Sequence, residues 1–327
     1  MQGALFDVVV DTVRELTPRV REYRLRSADG RTLPPYSPGA HIELHARTEV
    51  HGPMVRHYSL IGGSRLEDDA PNVYRIAVQR EDRQRGSAHI HQNFVVGTPV
   101  RISRAKNGFP LDFRDRRSLL IAGGIGVTPI YSMARSLVRR KRDFHMVYCG
   151  RTPEQLAYSA DLEALCEGRV AFHYSGDPPL ENVDMVALLE REPQEARVYV
   201  CGPPSMINAV HAAAESLGWA EGRIRSERFG VGPAAGDRPF DVHLRRDGRV
   251  VPVGRDISIL DALSSAGVDL FSDCRRGECG LCAVNVADAG DGIDHRDSYF
   301  SADEHQENKS MCICVSRARG ERLILDL

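Results

Sequence analysis

Five of the eight cysteines in this 327-residue chain lie in one C-terminal stretch. Cys274, Cys279 and Cys282 have the spacing C-x4-C-x2-C, and Cys312 and Cys314 follow later in the chain. Soft thiolate ligands hold iron in both oxidation states, and four of them complete the tetrahedral sites of two sulfide-bridged irons. A structural zinc site is the alternative, but such sites usually pair one CxxC with another. The spacing therefore favours a [2Fe-2S] cluster.

The fourth cysteine ligand is either Cys312 or Cys314. Cys312 follows Cys282 after 29 intervening residues, the usual gap in plant-type ferredoxins, and Cys314 lies two positions further on. Both would face the same side of a strand, since side chains repeat every second residue, so the spacing leaves the choice open. Gly277 and Gly280 would let the loop fold tightly, with backbone amides pointing at the cluster sulfurs.

A strand, a glycine turn and a helix start are predicted in the middle of the chain. An apolar run at residues 117–122 leads into Gly123-Gly-Ile-Gly126-Val-Thr128-Pro129. Thr128 is expected to cap the helix, with Pro129 in its first position. A helix N-terminus reached over glycines is a ready site for a pyrophosphate, although proline stands where the Rossmann fingerprint has its third glycine.

Two further segments end predicted strands in a similar way. They are Tyr148-Cys149-Gly150-Arg151 and Val198-Tyr-Val-Cys201-Gly202-Pro203. In a doubly wound sheet, ligands gather at the carboxyl ends of the strands, so the segments add weight to a nucleotide site. Cys149 and Cys166 are expected to be small buried side chains without a chemical role.

The segment Arg56-His57-Tyr58-Ser59-Leu60 resembles the Arg-x-Tyr-Ser flavin motif of the ferredoxin reductase superfamily. An arginine can bind a phosphate through two hydrogen bonds, a tyrosine ring can stack on the isoalloxazine, and a serine can hydrogen-bond near its redox-active N5. A strand would place Arg56 and Tyr58 on one face. Because such a short match could occur in any strand, its position ahead of the glycine turn is what gives it weight.

The composition of the chain changes along its length in a way that indicates several domains. Residues 1–110 alternate polar with apolar positions and predict an all-β domain, and residues 111–229 alternate strands with helices, as in a parallel α/β sheet. Residues 230–239, rich in Gly, Pro and Ala, read as a linker. Residues 240–327 predict a hairpin, a short helix, the cysteine loop and two further strands.

The order of these motifs is similar to that of the ferredoxin reductase superfamily. The C-terminal segment resembles the phthalate dioxygenase reductase and vanillate O-demethylase reductase family, in which a ligand cysteine immediately precedes a Val-Ser-Arg-Ala-like run. Here residues 315–318 form that run directly after Cys314, so the resemblance implies Cys314 as the fourth ligand. It also implies an antiparallel β-barrel flavin domain, an α/β parallel-sheet nicotinamide domain and a β-grasp plant-type ferredoxin domain.

The same resemblance assigns the cofactor residues. It implies FMN rather than FAD, and NADH is favoured over NADPH because Arg151 alone does not establish a site for a 2'-phosphate. No catalytic side chain is expected beyond the cofactors, apart from Ser59 and Cys201 beside the reacting rings. The implied residues are Arg56, His57, Tyr58 and Ser59 at the flavin, Gly86 and Ser87 at its phosphate, Gly124, Gly126 and Thr128 at the dinucleotide, Cys201, Gly202 and Pro203 beside the nicotinamide, and Phe229 closing the flavin site.

The resemblance implies electron transfer from NADH through the flavin and the cluster to a separate Rieske-type terminal oxygenase. No site of two histidines and one carboxylate can be argued from the sequence, so substrate oxidation is expected on that partner. The alternative is a self-contained NADH-dependent flavin reductase or dehydrogenase with another acceptor.

The overall composition of the chain excludes several other classes of protein. A net charge of −2 gives no reason to expect nucleic acid, and no apolar run is long enough to span a membrane. The N-terminal residues lack the features of a signal peptide, and reduced cysteines suit the cytoplasm. We therefore expect a cytoplasmic protein. We also expect a monomer, although none of these features determines the oligomeric state.

Overall fold

In a computed structural model, the protein is described at residues 5–48, 52–62, 70–80, 86–176, 182–220, 222–229 and 236–327. It divides into two compact units, Met1–Glu227 and Arg228–Leu327. Most of the predicted linker at 230–239 falls outside the described residues. Within the described part of the chain, no helix combines the length and apolar character needed to cross a membrane.

The first unit begins with a six-stranded antiparallel sheet in the order β4-β3-β6-β1-β2-β5. The amide of Ile61, just after β4, donates to the carbonyl of Arg75 in β5 at 2.9 Å. This bond joins the two edges of the sheet, so the sheet closes into the expected barrel. Its elements are β1 Phe6–Thr17, β2 Val20–Ser27, β3 His41–Thr48, β4 Gly52–Ser59, β5 Val73–Gln79, α1 Gly86–Asn93 and β6 Pro99–Ile102.

The barrel is filled by the apolar side chains of alternate strand positions. Tyr23, Leu25 and Ile76 are fully buried, and Ile90 and Phe94, in and after α1, pack into the same core. Burial of one such aliphatic side chain contributes about 1.5 to 3 kcal/mol. The core therefore holds β4 and α1, which carry the predicted flavin residues, in fixed positions.

The second part of this unit is a parallel five-stranded sheet in the order β11-β10-β7-β8-β9. The chain builds outward from β7 to β9 and then returns to the other side of β7 to form β10. The direction of winding thus reverses between β7 and β10, where a doubly wound sheet opens a crevice for ligands. Its elements are β7 Arg117–Gly123, α2 Val127–Arg139, β8 Asp143–Gly150, α3 Ser159–Cys166, β9 Val170–Tyr174, α4 Met185–Glu190, β10 Arg197–Cys201, α5 Pro204–Ser216 and β11 Ile224–Glu227.

The predicted start of α2 is wrong in detail. A 3-10 turn at Gly124–Gly126 runs directly into the helix, and Gly126 already has helical dihedral angles. Thr128 therefore lies inside the helix, where its hydroxyl donates to the carbonyl of Ile125 at 3.0 Å rather than accepting from an amide. Pro129 is the third helical residue, not the first.

The second unit contains a mixed five-stranded sheet in the order β13-β12-β18-β14-β16 and a two-stranded ribbon of β15 and β17. Helix α6, capped by Ser258, packs its buried residues into the core of this sheet, which is the expected β-grasp arrangement. Five strands follow the cysteine loop instead of the predicted two, because several are only two or three residues long. The elements are β12 Phe240–Leu244, β13 Val250–Val253, α6 Ile259–Ser265, β14 Ala283–Asp288, β15 Ile293–Asp294, α7 Ala302–Glu307, β16 Ser310–Cys312, β17 Arg317–Ala318 and β18 Arg322–Leu325.

Candidate functional site

The glycine turn after β7 lies against the Gly-Pro turn after β10. A Cβ atom on Gly126 would sit 2.2 Å from the carbonyl oxygen of Cys201, and one on Gly202 would meet the backbone of Gly123 at 3.0 Å. The two turns therefore touch backbone to backbone, which only glycine permits. The structure thus brings two of the predicted nucleotide segments together at the reversal point of the sheet.

The turn also presents an open backbone surface. Gly124 has a φ of +53°, and a Cβ there would meet nothing within 4 Å. Tyr148 supports the turn from behind, because its buried hydroxyl lies 3.1 Å from the carbonyl oxygen of Gly124. Exposed backbone at the start of a helix can accept an anionic group, so the arrangement fits the pyrophosphate of a dinucleotide. The sequence around Tyr148 shows only the end of a predicted strand and does not indicate this contact with Gly124.

The predicted flavin strand, β4, ends beside α1. A Cβ on Gly86, the first residue of α1, would lie 2.9 Å from Nε of Arg56. The Arg56 side chain thus crosses the N-terminus of the helix, where the helix dipole favours a negative charge. Gly86 and Ser87, which the resemblance assigns to the flavin phosphate, form the buried first turn of this helix. The arginine and the helix start together fit a phosphate.

Ser59, the last residue of β4, is 5% exposed, and its hydroxyl has no hydrogen-bond partner among the described residues. A buried unpaired hydroxyl costs about 1 to 3 kcal/mol unless a ligand completes it. This unsatisfied atom fits the expected hydrogen bond to a flavin ring. Tyr58 is partly buried on the opposite face of the strand, the face that also carries Arg56.

The barrel and the nucleotide sheet are connected directly behind the flavin strand. The hydroxyl of Ser132 in α2 donates to the carbonyl of Leu60 at 2.7 Å and accepts the amide of Gly62 at 3.0 Å. Ser132 is fully buried. It therefore fixes the end of the flavin strand to the helix that follows the glycine turn. Sequence reasoning missed this residue, since Leu60 and Ser132 are 72 residues apart.

Two histidines and a carboxylate surround the middle of the flavin strand. His57 stacks on His41 with ring centroids 5.3 Å apart, and its Nε2 lies 3.9 Å from a carboxylate oxygen of Glu43. Burial raises the pKa of Glu43, but the hydrogen bond and charge of Lys106 outweigh it and the net pKa is lowered. The carboxylate is therefore ionised, and His57 lies in an ordered polar group rather than in open solvent.

The cysteine loop wraps backbone amides around the first predicted ligand. The N–H groups of Arg276, Glu278 and Cys279 each donate to Sγ of Cys274 at 3.4 Å. Amides that point at sulfur stabilise negative charge there. Arg276, also in this loop, is 7% exposed and lies 3.4 Å from a carboxylate oxygen of Glu278, so it is not a solvated surface residue.

Cys282 contacts both candidates for the fourth ligand. Hydrogen bonds from the thiols of Cys312 and Cys314 lower the pKa of Cys282 to about 3, while the same contacts raise the pKa of each partner. Cys314 also accepts the amide of Gly277 and lies in the field of Cys274, whereas Cys312 lies in the field of Asp297. Cys314 is thus the candidate that contacts residues 274–277 of the cysteine loop. The sulfur atoms of the loop and of Cys314 fit a cluster bound by thiolates.

The expectation that both cysteines face one side of a strand is wrong. Strand β16 ends at Cys312, and the next three residues form a turn in which the amide of Val315 donates to the carbonyl of Cys312 at 3.2 Å. Gly277 and Gly280 have positive φ angles of 73° and 71°. Both lie against other parts of the unit, so the tight fold of the loop requires them.

The remaining predicted residues are distributed as follows. Cys149 and Cys166 are free thiols whose pKa burial raises to about 11, which makes both unreactive. Cys166 is fully buried as expected, whereas Cys149 is only partly buried. Cys201 is fully buried at the end of β10. Phe229 is partly buried and belongs to the second unit, so its role at the flavin stays a prediction.

Comparison with known proteins gives matches for both units. The family described as the oxidoreductase NAD-binding domain matches residues 120–212, and the 2Fe-2S iron-sulfur cluster binding domain matches residues 242–319. The chain is 34% identical to a vanillate O-demethylase oxidoreductase from Pseudomonas sp. over 99% of its own length and 100% of the relative. It is 37% identical to a heme-dependent oxidative N-demethylase beta subunit from Ectopseudomonas mendocina, at the same coverage.

A solved structure extends the likeness to the whole fold. Phthalate dioxygenase reductase, described as a modular structure for electron transfer from pyridine nucleotides to [2Fe-2S], matches with a TM-score of 0.84 and 30% identity. The match covers 99% of this chain and 98% of that one. The chain is therefore an NAD-binding, [2Fe-2S] oxidoreductase that belongs to the vanillate O-demethylase and phthalate dioxygenase reductase family, the electron-transfer reductases of oxygenase systems.

Proposed function

We propose that this protein is the reductase component of a Rieske-type oxygenase or demethylase system, with NADH as donor, FMN in the barrel and a [2Fe-2S] cluster on the second unit. The observation that carries the proposal is the meeting of Cys274, Cys279, Cys282 and Cys314 around one loop in a chain that also has the nucleotide crevice. Bound FMN would convert a two-electron donor into single-electron steps, which a [2Fe-2S] cluster requires.

The proposed role of the first unit is to hold two cofactors side by side. Gly124 and Gly126 leave room for the dinucleotide at the start of α2, where the helix dipole favours phosphate. Cys201, Gly202 and Pro203 would border the nicotinamide from the neighbouring strand. Ser59 would donate to the flavin ring. The bond network of Ser132 supports this juxtaposition, because it ties the flavin strand to α2.

FMN is proposed over FAD because the pairing of Arg56 with the first turn of α1 suits a terminal phosphate. NADH is proposed over NADPH because Arg151 is the one arginine that the sequence offers at the end of β8. Extraction of the bound flavin followed by chromatography distinguishes FMN from FAD. The ratio of the kcat/KM values for NADH and NADPH shows which nicotinamide donor the enzyme prefers.

Cys314 is proposed as the fourth ligand, with Cys312 as a core side chain. The support is its contact with the amide of Gly277 and its proximity to Cys274. We also propose a cytoplasmic, monomeric protein. None of the eight cysteines forms a disulfide, which suits a reducing compartment.

Reconstitution tests the function. The purified reductase, NADH and a Rieske-type oxygenase component of a demethylase system should give product in proportion to the reductase added, and the reductase without the oxygenase should give none. Full substrate turnover by the reductase alone would contradict the proposal and favour the self-contained alternative.

One relative suggests a second candidate for the electron acceptor, a heme protein. The 37% identical relative is named as a subunit of a heme-dependent N-demethylase, so a heme protein is the competing electron acceptor. The same assay with heme-containing and Rieske-type partners separates the two, because only the physiological acceptor should accelerate NADH consumption and form product.

A further inference from the structure

A cluster of two histidines and one aspartate lies in the second unit, apart from the predicted iron ligands. His295, Asp297 and His305 each offer one ligand atom, and these atoms lie within 4.8 Å of one another. The sequence does not reveal this set, because His305 is contributed by α7 while the other two residues belong to the loop after β15. Folding brings them together.

His295 is the residue that ordinary packing does not explain. Its side chain is 8% exposed, and neither ring nitrogen has a partner at full hydrogen-bond distance in the described part of the chain, although the side chains of Asp297 and Asn308 lie next to the ring. Its ring stacks on that of His305 with centroids 4.3 Å apart and an interplanar angle of 24°. A buried imidazole with two unsatisfied nitrogens costs free energy, and a cation is a group that would satisfy one of them.

Asp297 supplies the negative charge of the cluster, and its side chain is fully buried. One oxygen accepts the Ser316 hydroxyl at 3.0 Å, and the other accepts the amide of Phe300 at 3.1 Å. These bonds fix the carboxylate plane, as the outer partners of a metal-ligating carboxylate do. They leave further lone pairs directed at the two imidazoles.

The spacing of the ligand atoms suits a small transition-metal ion. Nε2 of His305 lies 3.0 Å from one oxygen of Asp297, and Nδ1 of His295 lies 3.7 Å from the other. Tetrahedral zinc with bonds of about 2.0 to 2.2 Å requires ligand atoms about 3.4 Å apart, so ligand atoms that lie within 4.8 Å of one another would have to approach by at most about 1.4 Å. His305 is 25% exposed and gives the ion a route from solvent.

We propose that His295, Asp297 and His305 bind one divalent transition-metal ion of the zinc class, with water as the fourth ligand. Two imidazoles and a carboxylate are a ligand set that zinc accepts. None of the three residues is a proposed iron ligand, although Asp297 packs against Gly277 of the cysteine loop. Zinc binding is measured directly, so its test does not depend on the proposed reductase function.

Zinc binding to the complete holoprotein tests the site. Wild type and the variants His295→Gln and His305→Gln are dialysed to equilibrium against buffered zinc chloride, and zinc, iron and protein are quantified by mass spectrometry and amino-acid analysis. His243→Gln, a partly buried histidine on β12 of the same unit, is the matched control. We expect about one zinc per chain in wild type and in the control, and at least tenfold weaker binding in both other variants.

X-ray absorption at the zinc edge distinguishes this site from adventitious thiol binding. The proposed ligands give only nitrogen and oxygen neighbours at about 2.0 to 2.2 Å, whereas cysteine sulfur would appear at about 2.3 Å. Sulfur scattering in wild type, or equal zinc binding by wild type and His305→Gln, would overturn the proposal. Because His305 is partly exposed, its variant should fold, and unchanged iron content and visible absorption verify that it does.

Discussion

The cysteine loop of the second unit and the glycine turn of the first provide two different kinds of binding site. The loop offers side-chain sulfurs, and its neighbours add amides that point at them. The turn offers backbone groups, which are accessible because Gly124 and Gly126 have no side chains. A substitution in the loop should therefore remove a ligand, whereas one in the turn should add an obstacle.

The largest effect is expected from removing a single sulfur. Cys314→Ser should lose nearly all of its cluster, since Cys314 contacts Cys282 and the cysteine loop, whereas Cys312→Ser should keep about two irons per chain. Iron analysis and the electron paramagnetic resonance signal of the reduced proteins measure the difference. Loss of the cluster in Cys312→Ser with retention in Cys314→Ser would reassign the fourth ligand.

The second-largest effect, on stability and NADH binding, is expected from substitutions in the glycine turn after β7. Gly126→Ala places a methyl group 2.2 Å from the carbonyl of Cys201, so it should destabilise the first unit by about 3 kcal/mol or more and abolish NADH binding. Gly124→Ala, which meets no neighbour but has a positive φ, should cost only about 1 to 2 kcal/mol. Thermal unfolding of both variants measures the order, and equal losses would contradict the close contact.

A smaller effect is expected in β4, where one substitution should raise the stability of the flavin-free protein and lower its affinity for flavin. Ser59→Ala removes an unsatisfied buried hydroxyl, so the flavin-free protein should gain about 1 to 3 kcal/mol while flavin affinity falls about tenfold. Ser132→Ala is the matched control. It should lower the stability of the flavin-free protein, because its hydroxyl joins two backbone groups. Melting of the flavin-free proteins and fluorescence titration with FMN measure the two effects. A destabilised Ser59→Ala apoprotein would disprove the idea of an unsatisfied hydroxyl.

The smallest effect concerns pH. Burial lowers the pKa of His91 in α1, although its ring donates to the carbonyl of Val78 at 2.9 Å. The unfolded chain takes up a proton near pH 6.5 that the folded barrel does not bind. Stability contributed by the neutral ring is therefore present above pH 6.5 and is lost as the pH falls below it. In His91→Gln, the melting temperature should decrease less between pH 7 and pH 5 than in wild type, and an identical decrease would contradict this assignment.

The sequence predicted features that depend on local spacing. The strands around the glycine turn, the three kinds of domain and the identity of the cysteine loop all follow from short runs of residues. Details at the ends of elements were wrong. Thr128 was wrongly predicted to cap α2, because a 3-10 turn runs into this helix without an extended residue before it. Cys312 and Cys314 were wrongly predicted to share a strand, because β16 ends at Cys312.

Other features could not be predicted because they join residues far apart in the chain. Ser132 contacts Leu60 across 72 positions, and Asp297 packs against Gly277, where a Cβ atom would lie 2.8 Å from it. Nothing in the local pattern around Ser132 or Asp297 marks these partners. The sequence likewise cannot show that the Ser59 hydroxyl is buried without a hydrogen-bond partner, because this depends on the residues that fold around it.

An anaerobic titration with NADH tests the central claim most directly. If one flavin and one cluster accept electrons in the same chain, about 1.5 NADH per chain should reduce both, since the flavin takes two electrons and the cluster one. Absorption and electron paramagnetic resonance follow the two centres, and Cys314→Ser should consume about one NADH. A cluster that stays oxidised in wild type after the flavin is reduced, or correctly folded protein without iron and flavin, would contradict the account.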